Sequence, residues 1–178
     1  SDDVDPRTRL FGFQHSLGIV TGNNGMGPEL DLALIYSPTT SDNSFHLGTG
    51  ILIGIPMYDK NNYLLSLSSG ESYKVKEHGG KPEIQQVRLK TFTFTKTDED
   101  NYRIIEQNGN ITDLRDYGDG LCRPVTLCSP LGRTLTLTWT SSNYGRILSS
   151  VSDDSNEVLF QSEHDNDRVE ITFLPGHT

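Results

Sequence analysis

The 178-residue sequence predicts an all-β protein of antiparallel sheets, in which many short, hairpin-connected strands form a sandwich-like layer or a section of a curved shell. Its apolar residues alternate with polar ones, as expected for strands, where successive side chains point to opposite faces. Turn sequences rich in Gly, Asn, Asp and Ser bound nearly every apolar segment. No window of about a dozen residues carries the uninterrupted i, i+3, i+4, i+7 pattern of an amphipathic helix.

The strongest strand pattern is the segment 30–36, whose apolar residues at every second position fall on one face of an extended chain. Two threonine-rich segments, 91–95 and 134–140, each combine one apolar face with one hydroxyl face, which indicates a sheet with one buried and one solvated side. In chain order, the predicted strands are 11–20, 29–37, 50–57, 62–67, 72–77, 84–95, 101–107, 111–115, 124–128, 134–140, 146–152, 157–162 and 167–173.

Glycine-containing turns join several of these strands directly. Asn108 and Gly109 both tolerate positive φ angles, so we expect a type I′ turn that pairs strand 101–107 with the strand after it. Gly70, in the pair Ser69-Gly70, and Gly132 predict two further hairpins in the same way. Strands connected by such short turns pair antiparallel.

The chain is long enough for one domain or two small ones, and no linker rich in Pro, Ser or charge divides it. The weakest continuity lies at residues 79–82, and the loop 117–120 comes second. We therefore expect an N-terminal β segment, 1–80, and a C-terminal β segment, 81–178, that together form one continuous sheet system.

Charge excludes two classes of partner. The formal net charge is −9, with 24 acidic and 15 basic residues, so neither nucleic acid nor an anionic membrane surface is an expected partner. No run approaches the roughly 18 to 20 apolar residues that membrane insertion requires, and the N-terminus lacks the layout of a signal peptide. Cys122 and Cys128 are predicted to be half-buried thiols; a disulfide between them would require the chain to turn at Arg123 and Pro124.

An ordered series of short motifs carries a family resemblance. The motifs are Asp5-Pro6-Arg7-Thr8-Arg9-Leu10-Phe11, Gly27-Pro28 followed by Leu30 to Ser37, Phe45-His46-Leu47-Gly48-Thr49-Gly50, Gly70-Glu71-Ser72-Tyr73, Ser129-Pro130-Leu131-Gly132-Arg133 with Leu135, Leu137 and Trp139, and Tyr144-Gly145-Arg146-Ile147-Leu148 followed by Asp153. This series resembles the N-terminal region of bacterial Rhs and YD-repeat proteins, which are related to the C component of insecticidal toxin complexes and distantly to teneurins. Thr49 stands where an aromatic residue is common, and full-strength YD repeats are missing, so the resemblance is to the leading, repeat-poor region.

The resemblance implies a scaffold. In this family the sheet spirals into a hollow shell that encloses a C-terminal toxin or effector, so this chain would be an early section of the wall, with degenerate YD-like units in 81–178. It also implies a secreted or cell-surface location as part of a larger bacterial protein, and carbohydrate binding as a further expectation.

Exposed aromatic rings beside polar groups are typical of sugar-binding sites. Tyr117 and Tyr144 lie in Gly-rich loops and are the candidate sugar-binding residues, whereas Trp139 shares a face with Leu135 and Leu137 and is predicted to be in the core. Acidic residues cluster in predicted turns, at Asp98-Glu99-Asp100, Asp153-Asp154 and Asp165/Asp167. We interpret them as solvated turn residues, because none follows the spacing of a calcium loop, and a paired-carboxylate glycosidase site is the weaker reading.

No catalytic residue, cofactor or metal is predicted. The five histidines lie in unrelated contexts, no G-x-S-x-G motif occurs, and the glycines of 22–27 precede a strand instead of the helix that phosphate binding needs. The sequence therefore predicts a non-enzymatic structural module. Its apolar stripes, Phe11/Phe13, Leu30/Leu32/Leu34/Tyr36, Phe92/Phe94 and Leu135/Leu137/Trp139, would pack within the domain and against the remainder of a longer parent chain.

Two other readings of function remain open. A carbohydrate-binding module would bind a saccharide at Tyr117 and Tyr144, and a hydrolase, the weakest reading, would need converging ionisable groups. Since a wall section leaves strand edges unpaired, we also expect self-association through edge strands.

Overall fold

The structure, a computed structural model, describes residues 4–5, 10–11, 13–21, 29–36, 45–47, 50–53, 55–85, 91–142, 145–165 and 168–173. These residues form 18 strands and no helix, and every strand pairing is antiparallel. The predicted all-β, antiparallel fold class is therefore confirmed.

The strands follow one another with short connections along the described chain. They are β1 (Val4–Asp5), β2 (Leu10–Phe11), β3 (Phe13–Thr21), β4 (Glu29–Tyr36), β5 (Phe45–Leu47), β6 (Gly50–Ile53), β7 (Met57–Asp59), β8 (Leu64–Ser66), β9 (Ser72–His78), β10 (Lys81–Ile84), β11 (Phe92–Lys96), β12 (Asn101–Glu106), β13 (Ile111–Asp116), β14 (Leu121–Cys128), β15 (Thr134–Ser142), β16 (Gly145–Asp153), β17 (Val158–Asp165) and β18 (Arg168–Phe173). The predicted strand 84–95 is replaced by β10 and β11, and residues 86–90 lie outside the described part.

Three sheets contain these strands. β1 pairs with β2, and a four-stranded sheet has the order β3-β4-β6-β5. The third sheet has 12 strands; its main path is β10-β9-β8-β7-β14-β15-β16-β17-β18, and β13, β12 and β11 continue from β14 as a branch. This sheet does not close on itself. Contacts of β5 with β16 and of β3 with β17 place the four-stranded sheet against the last strands of the large one.

The branch arises because β14 has three neighbours. β13 pairs along one edge of β14, while on the other edge Leu121 and Cys122 pair with β7 and the stretch from Thr126 to Cys128 pairs with β15. Residues 123–125 pair with neither of these two strands, and a bulge interrupts the register with β13 at the same place. Pro124 lies in this interval, where a residue without an N–H costs no ladder hydrogen bond on that edge.

The first hydrophobic core lies between β7–β10 and β11–β13. It consists of Tyr58, Leu65, Val75, Phe92, Phe94, Tyr102, Ile104, Leu114 and Cys122, with Leu67, Tyr73 and Ile84 packed against it. The rings of Phe94 and Tyr102 are stacked with centroids 5.4 Å apart, and Tyr58 meets both rings edge-on. Such ring contacts contribute stability beyond the area that they bury.

A second buried set lies on β15, β16 and β17. Its members are Leu135, Leu137, Trp139, Ile147, Leu148, Val151, Leu159 and Phe160. The alternating burial of β11 and β15 confirms the predicted apolar stripes at Phe92/Phe94 and Leu135/Leu137/Trp139, with threonines between them on the exposed face. The side chains of the other two predicted stripes, in 11–13 and 30–36, lie outside the described part.

Four hairpins close with the same loop geometry. In each hairpin, one residue at the start of the loop makes two backbone hydrogen bonds of 2.8–3.0 Å. Its N–H donates to the carbonyl of the residue four positions later, and its carbonyl accepts the N–H of the residue three positions later. The residue three positions after the first has a positive φ; these residues are Gly70, Gly109, Gly132 and Asn156. This is a type I turn followed by a left-handed residue, which joins antiparallel strands with a one-residue bulge.

Two turn predictions need correction. β12 pairs with β13 as predicted, but the predicted type I′ turn is wrong. Such a turn needs a positive φ at both Asn108 and Gly109, and only Gly109 has one. The prediction that Asp153 is a solvated turn residue is also wrong, since Asp153 is 2% exposed. The prediction holds for Asp98, which is exposed at its turn.

Asp153 is buried because it organises the β16–β17 turn. Its Oδ1 accepts the N–H groups of Ser155 and Glu157, each at 3.0 Å, and the hydroxyl of Ser155 at 2.6 Å. Asp59 does the same after β7, where it accepts the N–H groups of Asn61 and Asn62. Buried carboxylates are tolerated when such donors replace the lost water.

We expect Asp153→Ala to lower the free energy of unfolding by about 3 kcal/mol, because the N–H groups of Ser155 and Glu157 and the hydroxyl of Ser155 lose their charged acceptor. Asp153→Asn keeps an oxygen at the same place and should cost less than half as much. Urea denaturation of the two variants measures the difference; equal losses would show that the turn does not depend on this oxygen.

Candidate functional site

A group of ionisable side chains lies around Glu77 at the edge of the first hydrophobic core. Glu77 Oε1 accepts the hydroxyl of Tyr102 at 2.9 Å and the hydroxyl of Tyr58 at 3.2 Å, and both tyrosines are fully buried. We call these three residues, together with Lys60, Asp116 and Cys122, the tyrosine–carboxylate cluster.

The alternation of β9 places Glu77 in this cluster. Tyr73, Val75 and Glu77 occupy every second position and are the less exposed residues of the strand, so Glu77 lies on the core side. A carboxylate on an apolar face is expensive unless it has hydrogen-bond donors, and two tyrosine hydroxyls supply them. The position of an acidic residue on the apolar face of a strand is the feature of the sequence that could have predicted the cluster. No prediction was made from it.

Strand register brings the remaining members together. Cys122 of β14 lies directly between Tyr58 of β7 and Asp116 of β13. Lys60, in the turn after β7, reaches across to Asp116 with 3.2 Å between Nζ and Oδ2. The cluster therefore combines residues from β7, β9, β12, β13 and β14.

The protonation states in the cluster follow from burial and from neighbouring charges. Burial, and then the charge and hydrogen bond of Glu77, raise the pKa values of Tyr58 and Tyr102 far above the ordinary tyrosine value. Burial, followed by the charge of Asp116, raises the pKa of the Cys122 thiol to about 12. The thiol is therefore protonated at neutral pH and is a poor nucleophile.

Lys60 stays charged in spite of its surroundings. Burial acts to lower the pKa of Lys60, but the hydrogen bond and charge of Asp116 outweigh it and raise that pKa above the ordinary value. The cluster thus contains two neutral hydroxyls bonded to Glu77, the ion pair of Lys60 with Asp116, and a protonated, buried thiol.

The loop 117–120, between β13 and β14, packs against the turn after β7. Asp116 Oδ1 accepts the N–H groups of Gly118 and Gly120, at 2.8 and 3.3 Å. The carbonyl of Gly120 accepts the N–H of Lys60 at 2.8 Å, and Asn61 Nδ2 donates to the carbonyl of Asp119 at 3.1 Å. The carboxylate that pairs with Lys60 therefore also shapes the loop.

The same loop is attached to β14. Arg123, which is 4% exposed, donates through Nη1 and Nη2 to the two carboxylate oxygens of Asp119, at 3.1 and 2.9 Å. Burial acts to raise the pKa of Asp119, but Arg123 outweighs it and holds that pKa below the ordinary value. The guanidinium of Arg123 also lies 5.9 Å from the ring centroid of Trp139.

Trp139 is a core residue, as predicted, and does not form a sugar platform. It is 6% exposed, and its indole N–H donates to the carbonyl of Pro124 at 2.7 Å. The bond satisfies the buried indole N–H and anchors β15 to the branch interval of β14.

Tyr117, the first predicted sugar-binding residue, is half-buried in the loop, and the guanidinium of Arg146 lies 4.5 Å from its ring centroid. Both acids beside it, Asp116 and Asp119, are already bonded to groups of the protein. Tyr144, the second candidate, lies outside the described residues. Sugar binding by this pair stays a prediction.

Within the described ranges, no group of three or more His, Cys, Asp or Glu side chains is placed to hold a metal ion. No helix there is long and apolar enough to cross a membrane. Cys122 is buried and Cys128 half-buried, and both are free thiols.

No protein-family model and no curated protein matches this chain. The resemblance to Rhs and YD-repeat proteins therefore stays a prediction, as does the division into segments 1–80 and 81–178.

We expect the buried tyrosines to make the protein sensitive to alkali. Their pKa values are higher in the folded than in the unfolded state, whose tyrosines ionise near 10.0, so the folded state binds more protons above that pH. The stability they provide is complete below pH 10 and falls as the pH rises further. Replacing Tyr102 by Phe should flatten this fall by about 1.4 kcal/mol per pH unit in urea denaturation. A slope equal to that of the wild type would contradict the buried hydroxyl.

Gly120 and Gly118 form a matched pair for testing the contact between the loop and the turn. Both have positive φ, +82° and +100°, so alanine should cost about 1 kcal/mol at either position. A Cβ at Gly120 would also lie 2.5 to 2.8 Å from the amide of Asn61, whereas nothing lies within 4 Å at Gly118. Thermal or urea unfolding should show Gly120→Ala to be less stable than Gly118→Ala by about a further 1 kcal/mol. Equal losses would mean that Asn61 does not hold the loop.

Proposed function

We propose that this chain is a non-enzymatic structural module, an early wall section of an Rhs/YD-repeat shell that encloses a toxin or effector. The observation that carries the proposal is the open, branched sheet of 12 antiparallel strands. From β15 to β18 each strand pairs with the next through a short connection. Further hairpins can extend such a ladder without rearranging the strands already present.

The commitment of polar groups also supports a structural role. Glu77, Asp116 and Asp119 are all bonded to groups of the same chain. The thiol of Cys122 is kept protonated by the burial that raises its pKa to about 12. Networks satisfied in this way make a fold rigid and specify one arrangement of its strands, which a wall requires.

The proposal is tested on the complete product of the reading frame that contains this sequence. We expect that frame to continue into further strand and hairpin units and to end in a domain of different composition. Cryo-electron microscopy of the purified product should show β18 paired with another strand and an enclosed cavity. A product that ends soon after β18 and folds as a separate enzyme would overturn the proposal.

Amide hydrogen exchange adds a quantitative comparison between the complete product and this chain alone. We expect amides of β18 to exchange at least about tenfold more slowly in the complete product, because a new ladder protects them. β12, which already has a neighbour on each side, is the matched control and should exchange equally in both. Equal exchange of β18 in both proteins would count against a continued wall.

A further inference from the structure

The exposed face of the β9–β10 hairpin is basic. Lys74 and Lys76 lie on the exposed side of β9, and Lys81 is exposed on β10. Among the described residues, none of these three lysines forms a salt bridge with a carboxylate. Glu83 occupies the register position opposite Lys76, and its Oε2 lies 3.6 Å from His78 Nε2. This face therefore has three lysines and one glutamate, although the chain as a whole has a net charge of −9.

The β17–β18 hairpin is acidic. Glu163 is exposed, and Glu170 occupies the register position directly opposite it. Asp165 and Asp167 follow in the sequence, and from Val158 to Phe173 Arg168 is the one lysine or arginine, with His164 also present. Like charges directly opposite on neighbouring strands destabilise a sheet, so this hairpin gains from an incoming cation.

The two hairpins occupy opposite ends of the main path of the large sheet. Their charges are complementary, but five strands lie between β9 and β17 in the path, so the two hairpins are not neighbours in the sheet of one copy. A second copy can bring a basic hairpin to the acidic hairpin of the first.

Side chains, not a backbone ladder, would make this contact. β10 is only four residues long and contains Pro82, which has no N–H to donate. Short edge strands with Pro and Lys are devices that prevent edge-to-edge pairing. The lysines of β9–β10 nevertheless remain available as an exposed, charged face.

We propose that the basic face of β9–β10, formed by Lys74, Lys76 and Lys81, docks onto the acidic hairpin β17–β18 of a second copy, at Glu163 and Glu170. The contact joins different surfaces of the two copies, so a pair of copies still has one free basic face and one free acidic hairpin. Head-to-tail contacts of this kind produce rings or open chains instead of closed dimers. The contact does not require the proposed wall function, because both surfaces belong to this chain.

A second copy fits the basic face better than a polyanion does. The acidic hairpin, with its complementary charge, is part of every copy of the chain, whereas the overall charge of −9 repels nucleic acid and other polyanions. At about 0.1 M salt the Debye length is about 10 Å, so charges in contact attract while most of the distant net charge is screened.

Sedimentation velocity over a range of protein concentrations tests the proposal. We expect the wild-type chain to associate at about 0.1 M salt and to do so at least about tenfold more weakly at about 1 M, where the Debye length is about 3 Å. The double variant K74E/K76E should stay monomeric, and so should E163K/E170K. An equimolar mixture of the two variants should associate again, because each then offers the charges that the other lacks.

R115E/R133E is the matched control, since it changes the net charge by as much as K74E/K76E but lies outside both surfaces. It should associate like the wild type. Circular dichroism establishes that each variant is folded. A wild-type monomer at every concentration, association that salt does not weaken, or a mixture that stays monomeric would overturn the proposal. Binding of heparin through Lys74 and Lys76 without any self-association would overturn it in favour of a polyanion.

Discussion

The arrangement of the described strands depends on β14, which must satisfy three neighbours at once. One edge of a strand normally pairs with one partner, but β14 pairs first with β7 and then with β15 along the same edge. The change of partner requires an interval without a ladder, and Pro124 together with the adjacent bulge provides it. Trp139 then donates its indole N–H to the carbonyl of Pro124, so the interval that lacks a strand partner is still bonded.

The loop 117–120 stabilises this branch from the side. It contacts the turn after β7 through Lys60 and Asn61, β14 through Arg123, and β16 through the stacking of Tyr117 and Arg146. Each contact is modest, but together they connect the three parts of the sheet that meet at β14. The polar groups of the loop are therefore engaged in holding the strands together.

Much of the local structure could be predicted from residue patterns. Alternation placed Phe92 and Phe94 in the core and left the threonines between them exposed, because side-chain direction in a strand depends only on position. The hairpin of β12 and β13 could be predicted, but its turn type could not, since an Asn-Gly pair fits more than one loop length. The burial of Asp153 was missed because an acid at a turn has the same sequence signature whether water or backbone N–H groups solvate its carboxylate.

Local residue patterns specify the strands, their antiparallel hairpins and the separation of apolar from hydroxyl faces, since these depend on neighbours within a few residues. The folded sheet establishes which strands share an edge and therefore which distant side chains meet. Tyr58, Glu77 and Tyr102 are 19 to 25 residues apart where they bond, and no local pattern couples them. Non-local pairing follows from the register of whole strands, and that register depends on the complete sheet and not on any one segment.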